Sequence, residues 1–297
     1  MPNPRETPLM TTSLTTIAMI AFAGNSILCR LALKDAHIDP ASFTVIRIAS
    51  GAAFLAVLVV GRSGFKIRNT NAPWSAGTWL SAIAVAAYAA FFSYSYLDLD
   101  AGTGALVLFA TVQVTMIGTG IARGRRPLPL EWLGLALSLG GLVYLVAPWR
   151  SDAPDPVGVA LMAVAGVGWG AYSLRGKAAG DPTRATTGNF IRALPLVLPT
   201  LLISLDQLDA NTRGLTLAII SGALTSGAGY AVWYAALRTL HGVTASIVQL
   251  SVPALAAVGG VALLGEPITA PFIIACVLIL GGVAIAVVTR ARSKHRA

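Results

Sequence analysis

The chain has 297 residues, of which 56% are hydrophobic and only 11% charged, with a mean hydropathy of +0.74. That leaves too little polar surface to clothe a water-soluble globule, so a polytopic membrane protein is expected and a soluble enzyme is excluded. The formal charge of +9 would suggest nucleic acid in a soluble chain. Here the basic residues sit in short loops between apolar runs, where they orient the chain in a bilayer, and no nucleic-acid partner is expected.

Ten apolar runs of about 18 to 25 residues follow one another, the length a helix needs to cross about 30 Å of hydrocarbon. They lie at 9–33, 41–60, 74–97, 101–122, 130–147, 157–178, 188–205, 215–237, 243–264 and 271–288. Strand-like alternation is absent, and backbone in lipid must satisfy its own hydrogen bonds, so all ten are expected as helices. The length of the first run, its internal Asn25 and its match to a later run argue for a retained helix rather than a cleaved signal. Cys29 and Cys276 lie in distant runs, and neither a disulfide framework nor a metal site is expected.

Lys and Arg collect on the cytoplasmic side of membrane proteins. With ten crossings, Arg5, Arg62, Lys66, Arg68, Arg123, Arg125, Arg126, Arg175, Lys177, Arg184, Arg238 and the tail from Arg290 to Arg296 fall on one side. The other side carries Arg30, Lys34, Arg150 and Arg213 together with most of the acids. Both termini are therefore expected in the cytoplasm.

The stretch from His241 to Pro267 repeats an earlier one at a spacing of 140, pairing Gly102 with Gly242, Ala105 with Ala245, Gly120 with Gly260 and Pro127 with Pro267. Nearer the N-terminus, Gly24 and Arg47 match Gly170 and Arg192. Five crossings leave a chain on the opposite face, so the second copy must be inverted. The expected fold is an all-α integral membrane protein. Its ten transmembrane helices form two inverted five-helix repeats, residues 1–150 and 151–297, around a central cavity. Many secondary transporters are built this way.

The pattern Tyr234-Ala235-Ala236-Leu237, Ala245-Ser246, Pro253, Leu264-Gly265-Glu266-Pro267 and Gly281-Gly282-Val283 resembles the second repeat of the EamA-type drug/metabolite transporter superfamily. Within it the chain looks most like the YddG-type exporters of aromatic amino acids, a resemblance that implies a bacterial inner-membrane location. The resemblance implies a basket of two inverted units, its cavity lined mainly by the first, third, fourth, sixth, eighth and ninth helices. One departure is that Arg125-Arg126-Pro127 stands where the second half has Gly265-Glu266-Pro267. Glu266 and Pro267 are read only as the cap and turn ending the ninth helix.

Candidate substrate contacts are the polar and aromatic side chains placed near mid-membrane. Trp169 and Tyr172 share a face of the sixth helix, Tyr230 and Tyr234 a stripe of the eighth, and Tyr88 and Phe92 a stripe of the third. Such rings suit stacking on a flat apolar solute. Asn25, Gln113, Ser246 and Gln249 would bind its polar end, and Pro253 would open the backbone beside Gln249. Arg47 and Arg192 match by symmetry, which favours structural anchoring over guidance of a substrate carboxylate.

No Asp or Glu falls in mid-span, where proton-coupled carriers keep a relay acid, and no Walker-type loop is present. The expected activity is export of neutral amino acids, aromatic and other apolar ones first, by alternating access without ion coupling, cofactor or metal. The working unit is expected to be a monomer in lipid. Alternatives are proton-coupled antiport of another metabolite or drug, and a membrane-embedded receptor. No nucleophile, base and orienting group can be assembled in the bilayer, so an enzyme is not expected.

Overall fold

The computed structural model describes residues 8–62, 72–124, 126–147, 152–176, 180–240 and 242–294. Arg5, Lys66, Arg68, Arg125, Arg150, Lys177 and Arg296 of the basic loops, and the side chain of Ser246, lie outside the described residues. Among those described the fold is helical, with one isolated β-bridge, between Ile38 and Ala210.

The helices are α1 (Pro8–Lys34), α2 (Pro40–Arg62), α3 (Trp79–Ser95), α4 (Ala101–Ala122), α5 (Pro129–Val146), α6 (Pro156–Gly176), α7 (Pro182–Val197), α8 (Thr212–Leu237), α9 (Gly242–Gln249 and Ser251–Leu264) and α10 (Ala270–Lys294). Eight are long and apolar enough to cross a membrane, and α3 is a shorter apolar helix. Large apolar side chains face outward along them, Val57, Val143, Val258 and Val277 among them, as a lipid solvent requires. The protein is a multi-pass membrane protein.

Local chemistry sets the boundaries. Thr78 caps α3 by accepting from the Ser81 N–H, so that helix starts later than the apolar run at 74–97. Asp181 caps α7 with Pro182 in its first turn, starting it before the run at 188–205. Pro195 and Pro199 then end it, leaving a separate helical turn, Pro199–Ile203. The break expected from Pro253 falls at Leu250, between the two segments of α9.

One expectation at the end of α9 is corrected. Gly265, in the left-handed region at φ 66°, is the cap. Glu266 instead folds back, and its Oε2 accepts from the Ala101 N–H at 2.9 Å, satisfying an orphan donor at the start of α4.

Around the centre, α1 packs on α8 and α9, α6 packs on α3 and α4, and α2 packs on α7 and α8. Farther out α5 and α10 lie together with glycines at the seam, where a Cβ on Gly134 would meet the Gly282 carbonyl. Asp98, Asp100, Asp152, Asp155 and Glu266 line a cleft near the start of α4, while Arg123, Arg175 and Arg184 line another near its end.

Candidate functional site

Apolar faces of α1, α3, α6, α7 and α8 converge, and the bulk they bring together is aromatic. Trp169 of α6 is the hub. Its ring centroid lies 4.9 Å from Tyr230, 5.1 Å from Tyr88, 5.5 Å from Tyr172 and 6.3 Å from Phe22. Phe22 of α1 meets Tyr230 and Trp233 edge-on, and Phe92 joins Tyr88 at 5.2 Å. Pairs in these geometries contribute about 0.5–1.5 kcal/mol each beyond burial.

A cavity of about 350 Å³ lies against this cluster, lined by Trp169, Ser173, Tyr230, Trp233, Tyr234 and Gln249 among others. It reaches the surface at the exposed Arg238, beyond the end of α8. On its other side the rings close to a crevice of about 10 Å³ between Phe22, Asn25, Tyr88, Phe92, Trp169 and Tyr230. That is room for about one water.

A polar cluster adjoins the crevice. The Asn25 amide donates to the Tyr88 hydroxyl at 3.0 Å. Its oxygen accepts from Ser221 at 2.7 Å and Thr225 at 3.2 Å. Ser221 and Thr225 belong to a π-helical stretch of α8, Ser221–Ala228. Such wide turns are rare and recur at functional sites. Arg47 of α2 is 1% exposed; it donates to Tyr88 at 2.9 Å and Ser226 at 3.3 Å, and its guanidinium carbon lies 4.7 Å from the Phe92 ring centre.

Away from the open cavity, the cluster is sealed by ions. Arg30 of α1 pairs with Glu266 at 3.2 Å and Asp100 at 3.6 Å, and donates to the carbonyls of Tyr96 and Leu97 at 2.9 and 2.7 Å. Lys34 adds a bond to the Leu264 carbonyl at 2.9 Å. One guanidinium thus ties α1 to the end of α3, the start of α4 and the end of α9. Burial, the largest influence on Glu266, raises its carboxyl above the ordinary 4.5, against the opposing pull of the Ala101 N–H and Arg30.

Of the candidate contacts, Asn25, Tyr88, Phe92, Trp169 and Tyr230 meet at the crevice, and Tyr234 and Gln249 line the open cavity. Tyr172 stacks on Trp169 and donates to Thr186 at 3.0 Å. Gln113 is buried in α4, apart from both linings. Arg192 does not reach the cluster; it donates to the carbonyls of Ala76, Trp74 and Gly188 at 2.6 to 2.9 Å.

Other contributors were not read as part of the site in the sequence. Phe22 stands three residues before Asn25 and so shares its helix face, a signal the spacing carried. Ser221 and Thr225 face Asn25 through the π-helical stretch, and the Arg30–Glu266 pair spans 236 positions; neither leaves a local trace.

Comparison with known proteins agrees with this architecture. The chain is 48% identical over 277 residues to an uncharacterized protein of Pseudomonas aeruginosa, covering 93% of this chain and 94% of that one. It is 34% identical over 161 residues to the threonine/homoserine exporter RhtA of Escherichia coli, covering 52% of each chain. A solved crystal structure superposes with a TM-score of 0.66 at 20% identity, covering 95% of this chain and 99% of that one, which shows a shared fold. The model of the EamA-like transporter family matches twice, at residues 10–147 and 156–288. The chain belongs to the EamA-like transporter family.

Proposed function

We propose that the protein exports neutral amino acids, aromatic and other apolar ones first, across a bacterial inner membrane by alternating access. The observation that carries this reading is the Trp169 hub. A flat side chain entering the cavity meets Trp169, Tyr230, Trp233 and Tyr234. Beyond the rings, Asn25 and the hydroxyls around it offer hydrogen bonds to an amino acid's polar end. Apolar walls with a few convergent polar groups suit a small amphipathic solute. Resemblance to an exporter of threonine and homoserine supports the amino-acid class.

In this reading the halves 1–150 and 151–297 are inverted five-helix repeats that rock about the cluster, and the described state opens to the cytoplasm. Clefts of opposite charge near the two ends of α4 support both termini being cytoplasmic. The working unit is a monomer without cofactor or catalytic centre. Among the described residues no carboxylate joins the polar cluster around Asn25, which favours movement down a gradient without ion coupling.

The test is flux of radiolabelled amino acids into liposomes carrying the pure protein. Saturable flux of tryptophan or phenylalanine, unchanged by an imposed proton gradient, is the expected outcome. Substrate-driven proton movement would favour instead proton-coupled antiport of a drug or other metabolite. Glu266, with its raised proton affinity, is the acid such coupling would use. Binding without flux would mark a receptor.

A further inference from the structure

We propose that Arg47 supplies the fixed positive charge by which the central site selects solutes carrying a carboxylate. The inference deepens the proposed export function and rests on it. Arg47 is buried to 1% exposure, and its Nη1 has no hydrogen-bond partner. Among the described residues no carboxylate pairs with it, whereas Arg30 has two. A guanidinium cannot lose its proton to escape this position, and an apolar side chain of similar length would fill the space without an uncompensated charge. Structural anchoring leaves the missing counter-ion unexplained.

A second unpartnered group, unlike Arg47, lines the crevice itself. The Tyr230 hydroxyl is buried in a residue 3% exposed and has no hydrogen-bond partner, although Tyr230 lines both the crevice and the open cavity. Buried polar atoms are seldom left unpaired, and one that faces both the crevice and the open cavity marks a place where a ligand supplies the missing bond. Tyr88 connects them. Its hydroxyl accepts from both Asn25 and Arg47, which leaves its own O–H to be donated to a third oxygen, that of the neighbouring Tyr230 or of a solute that comes between them. Arg47 lies behind the rings of Tyr88 and Phe92, so its charge acts on a solute through Tyr88 and makes it a positioning residue. A carboxylate in the open cavity against the Trp169 and Tyr230 rings, which also line the crevice, gains from that charge in a low-dielectric setting, while a bare ammonium is repelled.

The solutes predicted to bind are therefore zwitterions and carboxylic acids with a flat side chain. Decarboxylated amines and carboxyl esters of the same shape are excluded. The experiment measures binding of L-tryptophan, indole-3-acetate, tryptophan methyl ester and tryptamine to purified full-length protein, in the wild type and in Arg47→Gln and Arg47→Lys. The wild type is expected to prefer the two carboxylates over the ester and the amine by about tenfold or more, and Arg47→Gln to abolish that preference while still binding indoles. Arg47→Lys, which keeps the charge, retains part of it. Equal binding of acid and ester by the wild type overturns the inference and leaves export standing, as does an Arg47→Gln variant with the preference intact. A variant that weakens all four ligands equally marks a structural role and overturns it too. If Arg47→Gln does not fold, the wild-type ratio and Arg47→Lys decide, loss of the preference in Lys counting against it. Absence of binding by all four to the wild type overturns the export reading together with this one.

Discussion

Arg47 of α2 and Arg192 of α7, paired by the repeat proposed from the sequence, have different surroundings in the structure. Arg192 is half-buried and satisfied, tying its own helix to the carbonyls of Trp74 and Ala76 before α3. Arg47 is deep, stacked on two rings and short of a partner. The difference comes from what each helix faces. α2 lies against the π-helical stretch of α8 and the rings of α3, whereas α7 starts early at its Asp181 cap and meets a loop whose carbonyls are free to accept.

The sharpest break of this contrast is Trp169→Ala. It removes the ring against which Tyr88, the partner of Arg47, is packed, and touches nothing around Arg192. Truncating so large a core ring costs about 3–5 kcal/mol, read in thermal unfolding in detergent, and flux of tryptophan should fall more than flux of threonine. If aromatic transport survives with unchanged affinity, the site is misplaced. Next comes Arg192→Met, which takes the guanidinium away from the Ala76, Trp74 and Gly188 carbonyls. It should lose about 2 kcal/mol of stability while solute preference stays as it was.

Arg47→Met should show the reverse, with thermal stability unchanged or raised and the preference for carboxylates gone, a change of about tenfold or 1.4 kcal/mol. Loss of stability there, with preference intact, would make the two arginines alike after all. The smallest effect is expected at Glu266→Gln, which probes Arg30, the buried arginine that does have acids. The change should weaken the seal by about 1 kcal/mol, seen as faster hydrogen exchange at the Ala101 amide. Because burial raises the Glu266 carboxyl, the folded protein binds that proton more tightly than the unfolded chain. Its contribution is full below about 4.5 and is lost as pH rises through the raised value. The Gln variant should lack that slope in melting temperature against pH.

Much of this was legible in residues alone. Apolar runs gave the ten helices because lipid allows little else, and the stripes through Tyr88, Trp169 and Tyr230 were visible because helical spacing puts such rings on one face. What stayed hidden depends on long-range closure. Nothing near Glu266 announces Arg30, and nothing near Ser221 announces a π-turn facing Asn25. Symmetry in the sequence argued for equal treatment of Arg47 and Arg192, and only the packing of α2 and α7 separates them.

The seam between α5 and α10 carries a consequence for how such a molecule can move. Gly134 and Gly282 bring two backbones into direct contact, and the Ser138 hydroxyl donates across it to the Ile279 carbonyl at 3.0 Å. Surfaces meshed this closely cannot slip lengthwise without collision; they can only roll. In the proposed cycle the pair serves as a fulcrum, still and bathed in lipid on its outer side. On that proposal, rolling at the seam would be the motion that carries the two halves past the aromatic cluster.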